Sequence, residues 1–164
     1  MSEPRPKLTP EIRLIAARRL VADLLKGGCL GPHDDLEGCA ADIAAEGGFW
    51  TDGYSLAKSL DDHHGWSPTA EMVDILDSFY GYTHHALEAA EKEWLARNPV
   101  EPPLPVGARV KLKSGETGEI TGIYEHGPAK FLVAIDGDKM TGINTSGRRI
   151  VNFEDAELLP AAAA

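Results

Sequence analysis

Cysteine is scarce. Cys29 and Cys39 are the only two among 164 residues, too few for a disulfide scaffold and without the paired spacing of a zinc knuckle. Both are expected to be free thiols. Long apolar runs are missing as well. No stretch approaches the roughly 18 apolar residues of a membrane span, and the N-terminal MSEPRPKLTPE places no apolar segment ahead of the first helical pattern. These absences predict a cytoplasmic protein with no membrane association. There is no Walker loop, no GxGxxG and no HExxH, and Gly53-Tyr54-Ser55-Leu56-Ala57 lacks the preceding strand that a nucleophile elbow requires. No cofactor is expected.

Positive charge is also in short supply, with 16 Lys and Arg against 26 Asp and Glu for a net charge of −10. The deficit is uneven. Residues 1–105 carry 9 basic and 18 acidic side chains, whereas residues 106–164 carry 7 and 8. A segment as negative as the first repels phosphate backbones and attracts basic surfaces, while the second is governed by its local patches. Between them lies Asn98-Pro99-Val100-Glu101-Pro102-Pro103-Leu104-Pro105, which cannot continue a helix because each Pro lacks an amide donor and drives its predecessor extended. Its two PxxP spacings read as a stiff spacer.

Ahead of this linker the apolar residues recur at helical spacing. Thr9-Pro10 is a cap followed by Pro in the first turn, and Gly27-Gly28 supplies the stop. Leu14, Ala17, Leu20, Val21, Leu24 and Leu25 form one face of that helix, leaving Ile12 and Ile15 off it. A second helix is expected over 35–46, capped by Asp34 or Asp35, and a third from about Asp52 to His63. Ser67-Pro68 opens a fourth, whose face of Met72, Ile75, Leu76, Phe79, Ala86, Leu87, Ala90 and Trp94 persists for over twenty residues, with a bend at Gly81. Phe49, Trp50, Tyr54, Trp66, Phe79, Tyr80, Tyr82 and Trp94 provide the bulk for a helical core.

After the linker the period changes to two. Strands are expected over 109–113, 118–124, 130–135, 139–144 and 149–153, with Asp136-Gly137 as a hairpin turn. Five short strands in so few residues point to a small barrel. Gly107-Ala108-Arg109-Val110, Gly115-Glu116-Thr117-Gly118-Glu119-Ile120, Val151-Asn152-Phe153 and Leu158-Leu159-Pro160 resemble the SH3-like barrels, including KOW-type modules. The expected architecture is therefore α+β: an N-terminal all-α bundle of about four helices over 1–97, the linker 98–105, a five-stranded SH3-like β-barrel over 106–160 and a tail over 161–164.

Family members that bind peptides or methyl-lysine use several exposed aromatics, and this barrel has only Tyr124, Phe131 and Phe153, some of which must fill its core. Nucleic-acid-binding members use exposed basic side chains. Arg109, Lys111 and Lys113 fall on one outward face, which Arg148 and Arg149 would extend. In the helical part, Leu56 to Leu60 followed by Gly65 to Thr69 and Val73 weakly resembles helix-turn-helix regulators. The connection is longer than that motif's turn, and Glu71 and Asp74 would repel phosphates, so the resemblance implies a scaffold for protein contact.

His63, His64, His84 and Glu88 form the sequence's best case for a metal-dependent enzyme, through the i, i+4 pair of His84 and Glu88. A helical wheel places both His84 and His85 on a polar face. The reading favoured by the residues is non-catalytic: an accessory or regulatory protein, such as a small inhibitor, binding a protein partner with a basic surface. Ile12 and Ile15 would dock it, Asp77, Glu88 and Glu91 would form an acidic ridge, and Arg109, Lys111 and Lys113 would supply the barrel's contact. Nucleic-acid binding through that basic strand is the second reading.

Overall fold

A computed structural model of the chain describes residues 3–98, 104–137 and 148–160. Two compact units follow one another, one ending at Trp94 and one starting at Leu95. Helices build the first and an antiparallel sheet the second, an α+β arrangement with no described helix long and apolar enough to cross a membrane.

The first three helices begin where a short polar side chain satisfies an orphan amide. α1 spans Pro10–Lys26, with the Thr9 hydroxyl accepting from the Ile12 amide and Gly27 closing the end. α2 spans Leu36–Glu46 and is capped by Asp35, which accepts from the Gly38 amide at 3.0 Å. α3 spans Gly53–His64, capped by Asp52, and stops at Gly65, whose φ of 69° suits glycine. The Ser67-Pro68 start is displaced: Thr69 is the cap, accepting from the Met72 amide at 3.2 Å, and α4 covers Ala70–Leu76.

The long fourth helix expected from the apolar stripe is in fact two. α5 spans Phe79–Arg97, and the chain tightens between it and α4 as the Ser78 amide donates to the Ile75 carbonyl at 3.0 Å. Gly81 lies inside α5. At this break the Asp77 carboxylate accepts from the Gly53 amide at the start of α3 at 2.9 Å.

Packing also rotates α1 relative to its expected face. The row Ile12, Ala16, Leu20 and Leu24 is buried together with Ala17 and Val21, and Leu25 is exposed. Ala16, Ala17, Leu20, Val21 and Leu24 join Ala40, Ile43, Leu56, Leu60, Met72, Leu76 and Phe79 in one core. The N-terminal segment is tied to α5, where the Trp94 indole donates to the Glu3 carbonyl at 2.8 Å. The Arg5 guanidinium lies over the Trp94 ring and 3.6 Å from Glu91.

The sheet comprises β1 (Arg109–Leu112), β2 (Thr117–Ile123), β3 (Lys130–Ile135), β4 (Arg148–Asn152) and β5 (Ala156–Leu158), in the order β4-β3-β2-β1-β5. Alternation directs Val110, Leu112, Ile120, Phe131 and Val133 into its core, where Phe153 packs 4.2 Å from Phe131. A register shift between Ile120 and Gly122 marks a bulge in β2. β5, which the alternation did not indicate, follows a 3-10 turn over Phe153–Asp155 and pairs with β1 at Val110 and Leu158. The strand expected over 139–144 lies outside the described residues, as do positions 99–103 of the linker and the tail. Among the described residues no ladder joins β4 to β5, so the sheet is open where closure into a barrel was expected.

Candidate functional site

The most unusual surface of the helical unit lies where the chain leaves α2. Gly47 packs so closely on Phe79 that a Cβ there would meet the ring at 2.1 Å. Phe49 and Trp50 follow, the first half-buried and the second exposed. Thr51 tightens the loop by accepting from the Gly48 amide at 2.8 Å, and Asp52 then starts α3. Trp50 is 82% exposed. Its ring stacks on Tyr80 of α5 with centroids 5.6 Å apart and planes 23° apart, while Phe49 meets both edge-on at 5.0 and 5.4 Å. Tyr80 in turn stacks on His84 at 6.4 Å. Of the aromatics expected to fill the core, Phe79 and Trp94 are buried, whereas Phe49, Trp50 and Tyr80 form a shelf with Trp50 and Tyr80 exposed. Tyr54, 71% exposed, lines a separate concavity of about 210 Å3 with Lys58 and Asp61.

Trp50, Thr51, Asp52, Asp77 and Tyr80 line an open concavity of about 350 Å3 at this shelf. Its two carboxylates are held by helix ends. Asp52 accepts from the Ser55 amide at 2.7 Å and from the Ser55 hydroxyl at 3.2 Å, and these bonds hold its carboxyl below the usual range. Asp77 uses Oδ1 for the Gly53 amide, and its Oδ2 has no partner among the described residues. Fixed anionic groups beside open aromatic faces suit contact with a cation or with an apolar side chain.

Sequence reasoning assigned Asp77 to an acidic ridge with Glu88 and Glu91, and named none of Phe49, Trp50, Asp52 and Tyr80 as contact residues; the structure places Asp77 beside Trp50, Asp52 and Tyr80. The rest of the expected docking surface is dispersed. Ile12 is 8% exposed and belongs to the core, since it continues the buried row through Ala16, whereas Ile15 is 48% exposed. The acidic ridge does not form: Glu91 is 6% exposed and pairs with Arg5, Glu88 pairs with Lys92 at 2.8 Å, and Asp77 precedes α5 at the helix break.

The histidines divide between two places. His64 bridges Asp42 at 2.9 Å and Glu46 at 3.0 Å, and His63 lies 3.1 Å from Glu46. Trp66 donates to the same Asp42 at 3.0 Å. Hydrogen bonds from His63 and His64 hold the Glu46 carboxyl below its ordinary range. This cluster joins α2 to the end of α3. His84 and His85 are exposed on α5, and among the described residues no three His, Cys, Asp or Glu side chains converge as metal ligands.

On the sheet, Arg109 and Lys111 do share the outward face of β1, and Lys113, one residue past its end, is exposed as well. Carboxylates occupy two of them. Arg109 forks onto Asp136, which also accepts from the Thr117 hydroxyl at 2.6 Å, and Lys113 lies 2.7 Å from Asp155. Arg149 is paired with Glu116. Lys111, exposed and beside Glu157 in register, forms no ion pair among the described residues. Compared with protein-family models, with curated proteins and with solved structures, the chain matches none.

Proposed function

We propose that this is a non-catalytic interaction protein whose acidic helical unit docks a protein partner with a basic surface, and whose SH3-like sheet unit supplies a second contact. The observation that carries the reading is the exposure of Trp50 within the Phe49, Trp50 and Tyr80 shelf. Exposing a large aromatic costs hydration free energy, and Trp and Tyr at a surface concentrate binding energy when a partner covers them. Charge gives the shelf its selectivity, because the segment around it carries twice as many acidic as basic side chains. Two modest contacts on one chain reinforce each other through effective concentration. An accessory or regulatory role, including that of a small inhibitor occupying a basic site, follows from such docking.

Affinity capture from native extract, run in parallel with the wild type and the Trp50→Ala/Tyr80→Ala variant, tests the reading. A partner retained by the wild type, lost by the equally folded variant and released by salt is expected. Identical sets of captured proteins for the two chains would remove the shelf from the reading.

A further inference from the structure

We infer that the concavity lined by Trp50, Asp77 and Tyr80 receives an arginine side chain of the partner, its guanidinium lying against the open surface of the Trp50 ring and reaching the carboxylate of Asp77. This inference rests on the docking reading and names the group that the shelf recognises.

Four features of the concavity select that occupant. Tyr80 stacks on Trp50 and on His84, which fixes the Trp50 ring from behind, and Trp50 keeps most of its surface open to solvent. A planar, weakly hydrated guanidinium stacks on such a face, whereas a compact ammonium keeps its water. None of the lining residues is cationic, so the concavity has no positive charge of its own to balance Asp52 and Asp77. Finally, both carboxylates are positioned before any ligand arrives. Asp52 is fixed by Ser55 and Asp77 by the Gly53 amide, and the latter still has Oδ2 to accept a further hydrogen bond. A partner's arginine would therefore meet an acceptor whose side-chain entropy is already spent. An apolar side chain would cover the rings but leave the carboxylates desolvated beside it, a cost that an arginine converts into charge-assisted hydrogen bonds.

The test uses the full chain and two aromatic-free heptapeptides, one carrying two arginines and the other the same sequence with neutral citrulline at both positions. Binding is followed by NMR through the Trp50 indole N–H. The arginine peptide should shift that signal, and the citrulline peptide should bind at least about fivefold more weakly, as loss of a cation–π contact and an ion pair requires. Asp52→Asn/Asp77→Asn removes both charges while asparagine keeps both caps, so it should weaken the arginine peptide alone without unfolding the helices. Trp50→Ala, at an exposed position, removes that reporter, so its binding is followed through the backbone amides of Thr51 and Tyr80, which the arginine peptide should shift in the wild type and leave unmoved in the variant. Equal binding of the two peptides, or full binding by the asparagine variant, would overturn the arginine inference while leaving an apolar docking shelf in place. No binding of the arginine peptide would likewise overturn it, and the capture experiment with Trp50→Ala/Tyr80→Ala then judges the docking reading by itself.

Discussion

The Gly53 amide and the Asp77 carboxylate, 24 positions apart, are joined by a hydrogen bond of 2.9 Å that fastens the start of α3 to the break between α4 and α5. The approach is possible because residue 53 has no side chain. A Cβ there would lie 2.4 Å from the Val73 carbonyl oxygen and 2.6 Å from the Asp77 nitrogen, both backbone atoms. Gly53→Ala should accordingly destabilise the helical unit by about 2 kcal/mol or more, in the range of overpacked cores. Asp77→Ala should cost about 1 kcal/mol for the lost amide acceptor, and Asp77→Asn much less. Chemical denaturation of the three variants checks the order; an innocuous Gly53→Ala would contradict the close packing.

Acid should affect the sheet through Asp136. The fork from Arg109, followed by the Thr117 hydroxyl, lowers its carboxyl from 3.8 to about 2. A carboxyl depressed in the folded state contributes stability that is fully present above its unfolded value and is lost as pH falls through the folded one. Here that window runs from about pH 4 down to about 2. Asp136→Asn should lower the sheet's thermal midpoint at neutral pH and show a shallower decline than the wild type across that window. Parallel declines would refute the assignment.

Glu91 faces away from solvent, and Arg5 supplies its charge partner from the N-terminal segment. Arg5→Ala should destabilise the helical unit by about 3 kcal/mol, the scale for removing one member of a buried ion pair. Arg5→Ala/Glu91→Leu should recover part of that loss. Denaturation midpoints decide the point: a double variant no more stable than Arg5→Ala would show that the buried charge is not what is missed.

Three cations of the sheet unit, Arg109, Lys113 and Arg149, are committed to Asp136, Asp155 and Glu116. The wild-type chain should therefore elute from a heparin or DNA column at low salt. Asp136→Asn/Asp155→Asn/Glu116→Gln, which frees Arg109, Lys113 and Arg149, should shift elution to higher salt. Strong retention of the wild type that Arg109→Ala/Lys111→Ala/Lys113→Ala abolishes would favour the nucleic-acid reading instead.

Local signals were legible in the sequence where local chemistry decides them. Thr9-Pro10 and Asp35 capped the helices expected of them, Gly65 closed α3, and alternation placed Val110 and Leu112 inside with Arg109, Lys111 and Lys113 outside. What escaped was set by distant partners. The stripe from Met72 to Trp94 carries no proline at positions 77 and 78, and the Gly53 amide that bonds Asp77 at the break comes from a distant part of the chain. Arg109 and Asp136 are 27 residues apart, so the neutralisation of the basic strand has no local signature. Trp50 reads as core by composition, and its place outside, stacked on Tyr80 of a later helix, has no local signature. The short β5 pairs with β1 without an alternation long enough to announce it.

The most direct measurement of the docking claim is the affinity of the captured partner for the wild type and for Trp50→Ala, each over a series of salt concentrations. A salt-sensitive wild-type complex is predicted, weakened at least about tenfold by Trp50→Ala, as expected for an aromatic anchor within a charged surface. An affinity indifferent both to salt and to the loss of the Trp50 ring would contradict the account.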